Sequence, residues 1–438
     1  MLSVNSSHSP GDATGYYSSD NSDTEPPRGR TRKRVLLKDV QCLAEKRQRL
    51  CKESVSNDGR TMSQLGSLPV LSPSTRDTTP AGSKSRSKSP VKTMQDLSFL
   101  ASPRIHIVHD ESGMQGIVND TARALVARLF TASTTAFLPS QLAQHFDQAI
   151  LKSLGSDALA ADLSGGLNAE ELLNKITSLL EDARDCSIAG SDEAAWSSVA
   201  KDILLLALEM DQNEFSHAVK RFEALDIRTQ LPFKRYLPFG TKAPPGGRSA
   251  TDPRIPARKA DFALAFHRKA PRVMALKGEA FASIAALESA ATISHSSDPF
   301  TSTLPLQCAL EVKKDGEDTL EARLQLATWH ASAIMHAREI LRLAGKPSLP
   351  LPDNIFQVGW TVTAHVWTLW FTVQTEEETI HCVNALPEYP MGTSSRVALF
   401  RLVAVLRSLL QWMDGQYWPA FQTMYEDALE RLTSGPQS

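Results

Sequence analysis

Leu306–Lys314 reads LQCALEVKK, and upstream of it Lys259–Phe266 reads KADFALAF. Both alternate as half-buried strands do. In the first, Leu306, Cys308, Leu310 and Val312 share one parity, and Gln307, Ala309, Glu311 and Lys313 the other. In the second, Ala260, Phe262, Leu264 and Phe266 point one way, and Asp261, Ala263 and Ala265 the other. A strand repeats every two residues, so Glu311 and Lys313 emerge on one face. If the strands pair, Asp261 joins them there.

An Asp, a Glu and a Lys converging on one sheet face form the ligand-and-base set of a metal-dependent phosphodiesterase. The plain alternative has Glu311 and Lys313 as polar residues of an exposed sheet face and Asp261 as a strand-start residue. Hydrolysis of a phosphodiester needs a hydroxide-like nucleophile and neutralisation of charge on phosphate, and Mg²⁺ (or Mn²⁺) supplies both. It prefers carboxylate and water oxygens. Asp261 and Glu311 suit it, with the Val312 carbonyl as a third ligand, and Lys313 would orient the attacking water or hold the phosphate.

The rest of the chain sets limits. With 438 residues it can bury one large core or two modest ones, and its formal net charge of −2 gives no global attraction for polyanions. The 5 cysteines show no CxxC or Cys/His spacing, which argues for a reducing compartment and against a structural zinc. No apolar run is long enough for a bilayer, and the polar start lacks a secretory signal; the expectation is a soluble intracellular protein with no membrane partner. There is no phosphate-cradling glycine loop and no GxSxG, so nucleotide-driven motors and serine hydrolases fit poorly.

Residues 1–100 are expected to form a disordered basic, Ser/Pro-rich tail ahead of a domain at 101–438. Within the tail, Leu36–Cys51 could be a short basic helix, and Arg32-Lys33-Arg34 with Lys46-Arg47-Gln48-Arg49 are spaced like a bipartite nuclear-import signal. Ser9, Ser72, Thr79, Ser89 and Ser102 each precede proline. An import receptor and Ser/Thr-Pro kinases are the partners this suggests, with a nuclear address.

From about 115 to 230 the pattern is helical. It includes a Leu142–Leu154 stripe, an Asn168-capped start and an apolar helix at Glu193–Met210. A Pro/Gly-rich loop at 231–258 precedes a sheet core at about 255–430. That core holds the two strands, helices at Ala275–Ala291 and Glu317–Leu343, a hairpin at Asn354–Gln374 and a closing helix at Val397–Met413. The class is α/β (α+β), a central mixed sheet flanked by helices. His330, His336, His365 and His381 read as packed or surface histidines rather than ligands, and the Trp360, Trp367 and Trp370 set reads as core. Arg254, Arg258 and Lys259, with Lys234 and Arg235, would make a basic approach to the Asp261 strand.

The ordered series ADF, LEVKK, EARLQLATWHASAIMH, AHVWTLWF and SSRVALFRLVAVLRSLLQW resembles the PD-(D/E)XK nuclease-like domain proteins of filamentous fungi, over about Glu193 to Trp412. The resemblance implies a restriction-endonuclease-like core and Mg²⁺-dependent cleavage of DNA. Asp261 would be the metal-binding Asp, Glu311 the second acid and Lys313 the lysine of the ExK element, although Ala260 stands where the motif has proline. Such nucleases often place a glutamine from the following helix beside the site, which makes Gln325 the candidate. Glu193 could be an accessory acid or simply favour its helix start. The competing expectation is an inactive module of the same fold that binds nucleic acid or a protein partner.

Overall fold

The structure, a computed structural model, describes residues 94–108, 116–160, 167–214, 220–240, 255–284, 292–317, 319–375, 379–386 and 391–434. The Leu36–Cys51 segment, the two basic clusters and Arg254 lie outside these residues. The expected tail boundary at 100 is met by an ordered turn of helix, α1 (Met94–Leu100), and Ser102 sits in a short ladder with Phe239.

One seven-stranded mixed sheet organises the molecule. Its strands in chain order are β1 (Ile105–Val108), β2 (Phe222–Asp226), β3 (Phe262–Phe266), β4 (Leu306–Lys313), β5 (Gln357–Thr363), β6 (Val366–Gln374) and β7 (Ile380–Asn384). Across the sheet they run β1-β7-β6-β5-β4-β3-β2, with β4–β5 and β7–β1 parallel and the other pairs antiparallel. The hairpin appears as expected, turning at Ala364 with φ of 48°. β1 and β2 come from ahead of the expected sheet core, and Phe222–Asp226 is a strand inside the stretch read as helical. FEALD has no strand-forming residues of its own beyond Phe222; it pairs because β3 offers an open edge.

The helices are α2 (Asp120–Thr134), α3 (Gln148–Leu154), α4 (Ala169–Ala189), α5 (Glu193–Glu214), α6 (Pro271–Ile284), α7 (Thr319–Leu343), α8 (Arg396–Trp412) and α9 (Trp418–Ser434). The set α2, α4, α5 and α8 packs together over one face, and α6, α7 and α9 over the other. Asn168 does cap α4, accepting from Glu171 N–H at 2.7 Å. The Leu142–Leu154 stripe is not one helix: Asp147 caps α3 afresh by accepting from Ala149 N–H, after a 3₁₀ turn at Ser140–His145. A short π-helix, Met413–Tyr417, joins α8 to α9, a helix beyond the expected close of the fold.

The half-buried strand expectation fails instructively. Every residue of β3 and β4 is buried, because helices cover both faces. Parity also breaks once. Ala309 registers with Ala263 but Gln307 with Leu264, so a bulge at Cys308 (φ 54°) turns Gln307 away from the Glu311 face. Gln307 then mends the interrupted ladder: Nε2 donates to Phe356 O at 2.8 Å, and Oε1 accepts from Cys308 N–H and Val358 N–H.

On the Glu311 face, Gly359 registers with Ala309 and Thr361 with Glu311. A Cβ at Gly359 would lie 2.5 Å from His330 Nε2 and 2.6 Å from the Ala309 carbonyl oxygen. The carbonyl belongs to a paired strand and cannot retreat. Gly359→Ala is therefore expected to cost about 1–3 kcal/mol, read as a lower urea midpoint with unchanged slope.

Candidate active site

Asp261 stands one residue before β3, fixed by its own backbone: its N–H donates to Leu310 O at 2.8 Å, and its carbonyl accepts from Ile227 N–H at 2.9 Å. Its carboxylate turns toward β4, where Oδ2 accepts from Val312 N–H at 2.6 Å. Continuing the register of Phe262 with Leu310 sets Asp261 opposite Glu311. Lys313 follows on the same face, and Nζ donates to Glu311 Oε1 at 2.7 Å and to Glu193 Oε2 at 3.0 Å. Strand pairing thus brings Asp261, Glu311 and Lys313 together as the alternation expected.

Val312 contributes through its backbone. In an extended residue N–H and C=O point to the same side of the strand. The Val312 N–H faces Asp261, so its carbonyl does too, while the next carbonyl, Lys313 O, turns the other way and accepts from Ala364 N–H. Glu193 does more than favour its helix start. Asp192 caps α5, accepting from Ala195 N–H, which leaves the Glu193 carboxylate for Lys313.

Electrostatically the cluster has too much negative charge for its burial. Asp261, Glu311 and Lys313 are 7%, 2% and 8% exposed. Burial pushes the Asp261 carboxyl up to about 6, against the Val312 N–H and the Lys313 charge, which lower it. Burial and the neighbouring Asp261 hold Glu311 well above the usual carboxylate range. Burial also opposes the Lys313 charge, but Glu311 and Glu193 outweigh it and raise the ammonium above its ordinary value. The charged form of Lys313 is accordingly favoured here.

Arg228 is an addition that the strand alternation did not point to. Its Nε donates to Asp226 Oδ1 and Oδ2 at 3.0 and 3.2 Å, its guanidinium lies over the Phe262 ring, and its charge acts on Asp261 and Glu193. The only signal in the sequence is its position after β2, a strand that local propensity does not reveal. Gln325 lies on α7, the helix over the Glu311 face, one turn after Glu321, which pairs with Arg258. Gln325 makes no hydrogen bond to the cluster, and its Oε1 is buried without a donor. Of the expected basic approach, Arg258 pairs with Glu321, Arg235 lies over the rings of Phe233 and Tyr236, the latter against His336, and Lys259, two residues from Asp261, is exposed.

The histidines and tryptophans are structural, as their spacing suggested. His330 is fully buried and bonded through Nδ1 to Thr372 Oγ1, with burial pushing it down to about 3. Trp360, Trp367 and Trp370 are buried, and Trp370 Nε1 donates to Thr361 Oγ1. A surface groove of about 740 Å³ between Leu349, Pro352, Pro419 and Met424 touches none of the acid cluster.

Two acids and a lysine thus meet on adjacent central strands, and a known family matches the chain around them. The model of the PD-(D/E)XK nuclease superfamily matches residues 141–418. The chain belongs to the PD-(D/E)XK nuclease superfamily. Its mixed sheet flanked by helices is the restriction-endonuclease-like fold of that superfamily. No curated protein and no solved structure matches the chain. Nuclease ancestry is nuclease-like in function at the coarse level: it implies nucleic acid as partner and a divalent metal as the usual helper. No helix among the described residues is long and apolar enough to cross a membrane.

Among the described residues no group of three His, Cys, Asp or Glu side chains is arranged as a metal centre. What Asp261, Glu311 and Val312 would offer an ion is two carboxylates and a backbone carbonyl. It fits a hard, water-carrying cation: Mg²⁺ binds through one or two carboxylates and keeps several waters. The raised carboxyl pKa values of Asp261 and Glu311 mark the place where positive charge is short.

Proposed function

We propose that this protein is a metal-dependent nuclease that hydrolyses phosphodiester bonds in DNA. The observation that carries the reading is the buried pair of Asp261 and Glu311 on adjoining strands, with Lys313 beside Glu311. Asp261, Glu311 and the Val312 carbonyl would hold Mg²⁺ or Mn²⁺. When bound, that ion lowers the pKa of a water and neutralises charge on the scissile phosphate.

The chain's own groups have separate tasks. Lys313, protonated throughout, holds a phosphoryl oxygen or orients the attacking water, and Glu193 keeps its ammonium in place. Gln325 accepts a hydrogen bond from that water through its unpartnered Oε1. Arg228, anchored by Asp226, offers its remaining donors to the phosphate. The basic clusters at Arg32–Arg34 and Lys46–Arg49 give a nuclear address through an import receptor, and the Ser/Thr-Pro sites suit proline-directed kinases.

One observation favours a second reading, an inactive module that binds nucleic acid or a protein partner. Lys313 already occupies Glu311 Oε1, so the cluster neutralises itself in part without metal. Metal affinity separates the two. Calorimetric titration of the full chain with Mg²⁺ or Mn²⁺ should show one site at pH 8, abolished in Glu311→Gln. Affinity should fall as pH drops through about 6, where the proton on Asp261 competes with the metal. Absence of binding at pH 8 would leave the inactive module.

A further inference from the structure

Away from the acids, the opposite end of β3 carries a concentration of positive charge that the site does not use. His267-Arg268-Lys269 follows β3, and the His267 N–H donates to Arg221 O at 2.8 Å, which brings Lys220 alongside. Lys220, Arg268 and Lys269 are all exposed. Two neighbouring arginines are spent: Arg221 pairs with Asp211 and Asp414, and Arg272 with Asp414. Of the nearby acids, Glu223 accepts from the backbone N–H of Arg268 at 3.0 Å, and Asp298 caps the turn at Phe300 and Thr301.

The three remaining cations act on one point. Burial first, and then Arg268, Lys220 and Lys269, hold His267 below its ordinary pKa against the pull of Glu223. Arg268 also lies 5.3 Å over the ring of Phe300, a phenylalanine left 39% exposed. α6 begins two residues after Lys269, so the positive end of its dipole adds to the same place. Cations beside an exposed aromatic face, with a guanidinium stacked on it, are what a nucleic-acid backbone and its bases engage.

We infer that Lys220, Arg268 and Lys269, with Phe300, form a second nucleic-acid contact at the end of the sheet edge remote from the acid pair. The inference rests on the nuclease reading and adds where the substrate is gripped. β3 spans the gap between the two places; from Asp261 to His267 an extended chain covers roughly 20 Å at about 3.3 Å per residue. That is about six base pairs of duplex at roughly 3.4 Å each. The substrate thus touches the protein twice, once at the acids and once about half a helical turn away.

The test uses the full chain carrying Asp261→Asn, so that bound DNA is not cut, and a fluorescently labelled duplex of 30 base pairs. Adding Lys220→Gln, Arg268→Gln and Lys269→Gln should weaken binding of the long duplex about tenfold or more. It should also flatten the slope of log affinity against log salt by roughly 0.9 per lost phosphate contact, about 3 in all. The same three substitutions in the otherwise wild-type chain should leave hydrolysis of a small phosphodiester, bis(p-nitrophenyl) phosphate, unchanged, which shows that the fold and site are intact. Equal binding of the long duplex with and without the substitutions would overturn the inference alone. If the wild-type chain binds and cuts no nucleic acid, the nuclease reading falls and this contact with it.

Discussion

Asp261→Asn is expected to abolish cleavage, by about 10³-fold or more, and at the same time to make the metal-free protein more stable at pH 8. The two effects have one cause. The Asp261 carboxyl is buried and its pKa is pushed up from 3.8 to about 6. A tenfold change in proton affinity is worth about 1.4 kcal/mol, so keeping this group ionised above pH 6 costs the fold about 3 kcal/mol. Asparagine retains an oxygen to accept the Val312 N–H while removing the charge. Because the folded state binds this proton more tightly than the unfolded chain, the Asp261 contribution to stability is most favourable below about pH 4 and falls as pH rises to about 6. Asp261→Asn should flatten that decline, and Mg²⁺ or Mn²⁺ should stabilise the wild type but not the variant. Thermal melts across pH 4–8, with and without metal, measure this. A variant that melts below the wild type at pH 8 would contradict it. Storing unfavourable charge where a ligand is to arrive is a common way for activity and stability to oppose each other.

Lys313→Met should act in the opposite direction. The Lys313–Glu311 pair is 2.7 Å long, with side chains only 10% and 3% exposed. Removing the cation leaves Glu311 buried without its partner, a situation that costs about 3–5 kcal/mol. Changing both residues, Lys313→Met with Glu311→Gln, should recover most of the loss, since no unpaired charge then remains. A double-mutant cycle by urea unfolding reads this as a coupling energy. Additive losses would show that the two side chains do not depend on each other. The same pairing fixes the role of the lysine in the reaction. Its pKa is raised, so it stays protonated, and its share of stability is lost only as pH rises past the ordinary lysine value. A pH–rate profile should therefore show no limb from Lys313 in the neutral range.

The meeting of three polar side chains was more legible than the details of the strands around them. Asp261, Glu311 and Lys313 followed from a period of two and a single pairing assumption, and the register of β3 with β4 supplies that pairing. What alternation could not show was burial on both faces, because the pattern looks the same whether the polar face meets solvent or a helix. Nor could it show the bulge at Cys308, which depends on how Gln307 serves the ladder of β5. β2 was hidden for a related reason: FEALD becomes a strand through its neighbour, and Arg228 was hidden with it. β1 follows directly on a stretch expected to be tail, and β7, IHCVN, is a short strand with little to mark it in the sequence after the hairpin. The Lys313–Glu193 contact links residues far apart in sequence, and no local pattern carries such a contact.

The most direct test of the account is cleavage of labelled plasmid and single-stranded DNA by the full chain, with Mg²⁺, with Mn²⁺ and with chelator. Asp261→Asn and Lys313→Met are assayed alongside, each first shown to be folded by its melt. Metal-dependent cleavage by the wild type, lost in both folded variants, is the predicted result. A folded wild-type protein that binds metal yet cuts neither substrate, or cutting that survives both substitutions, would contradict it.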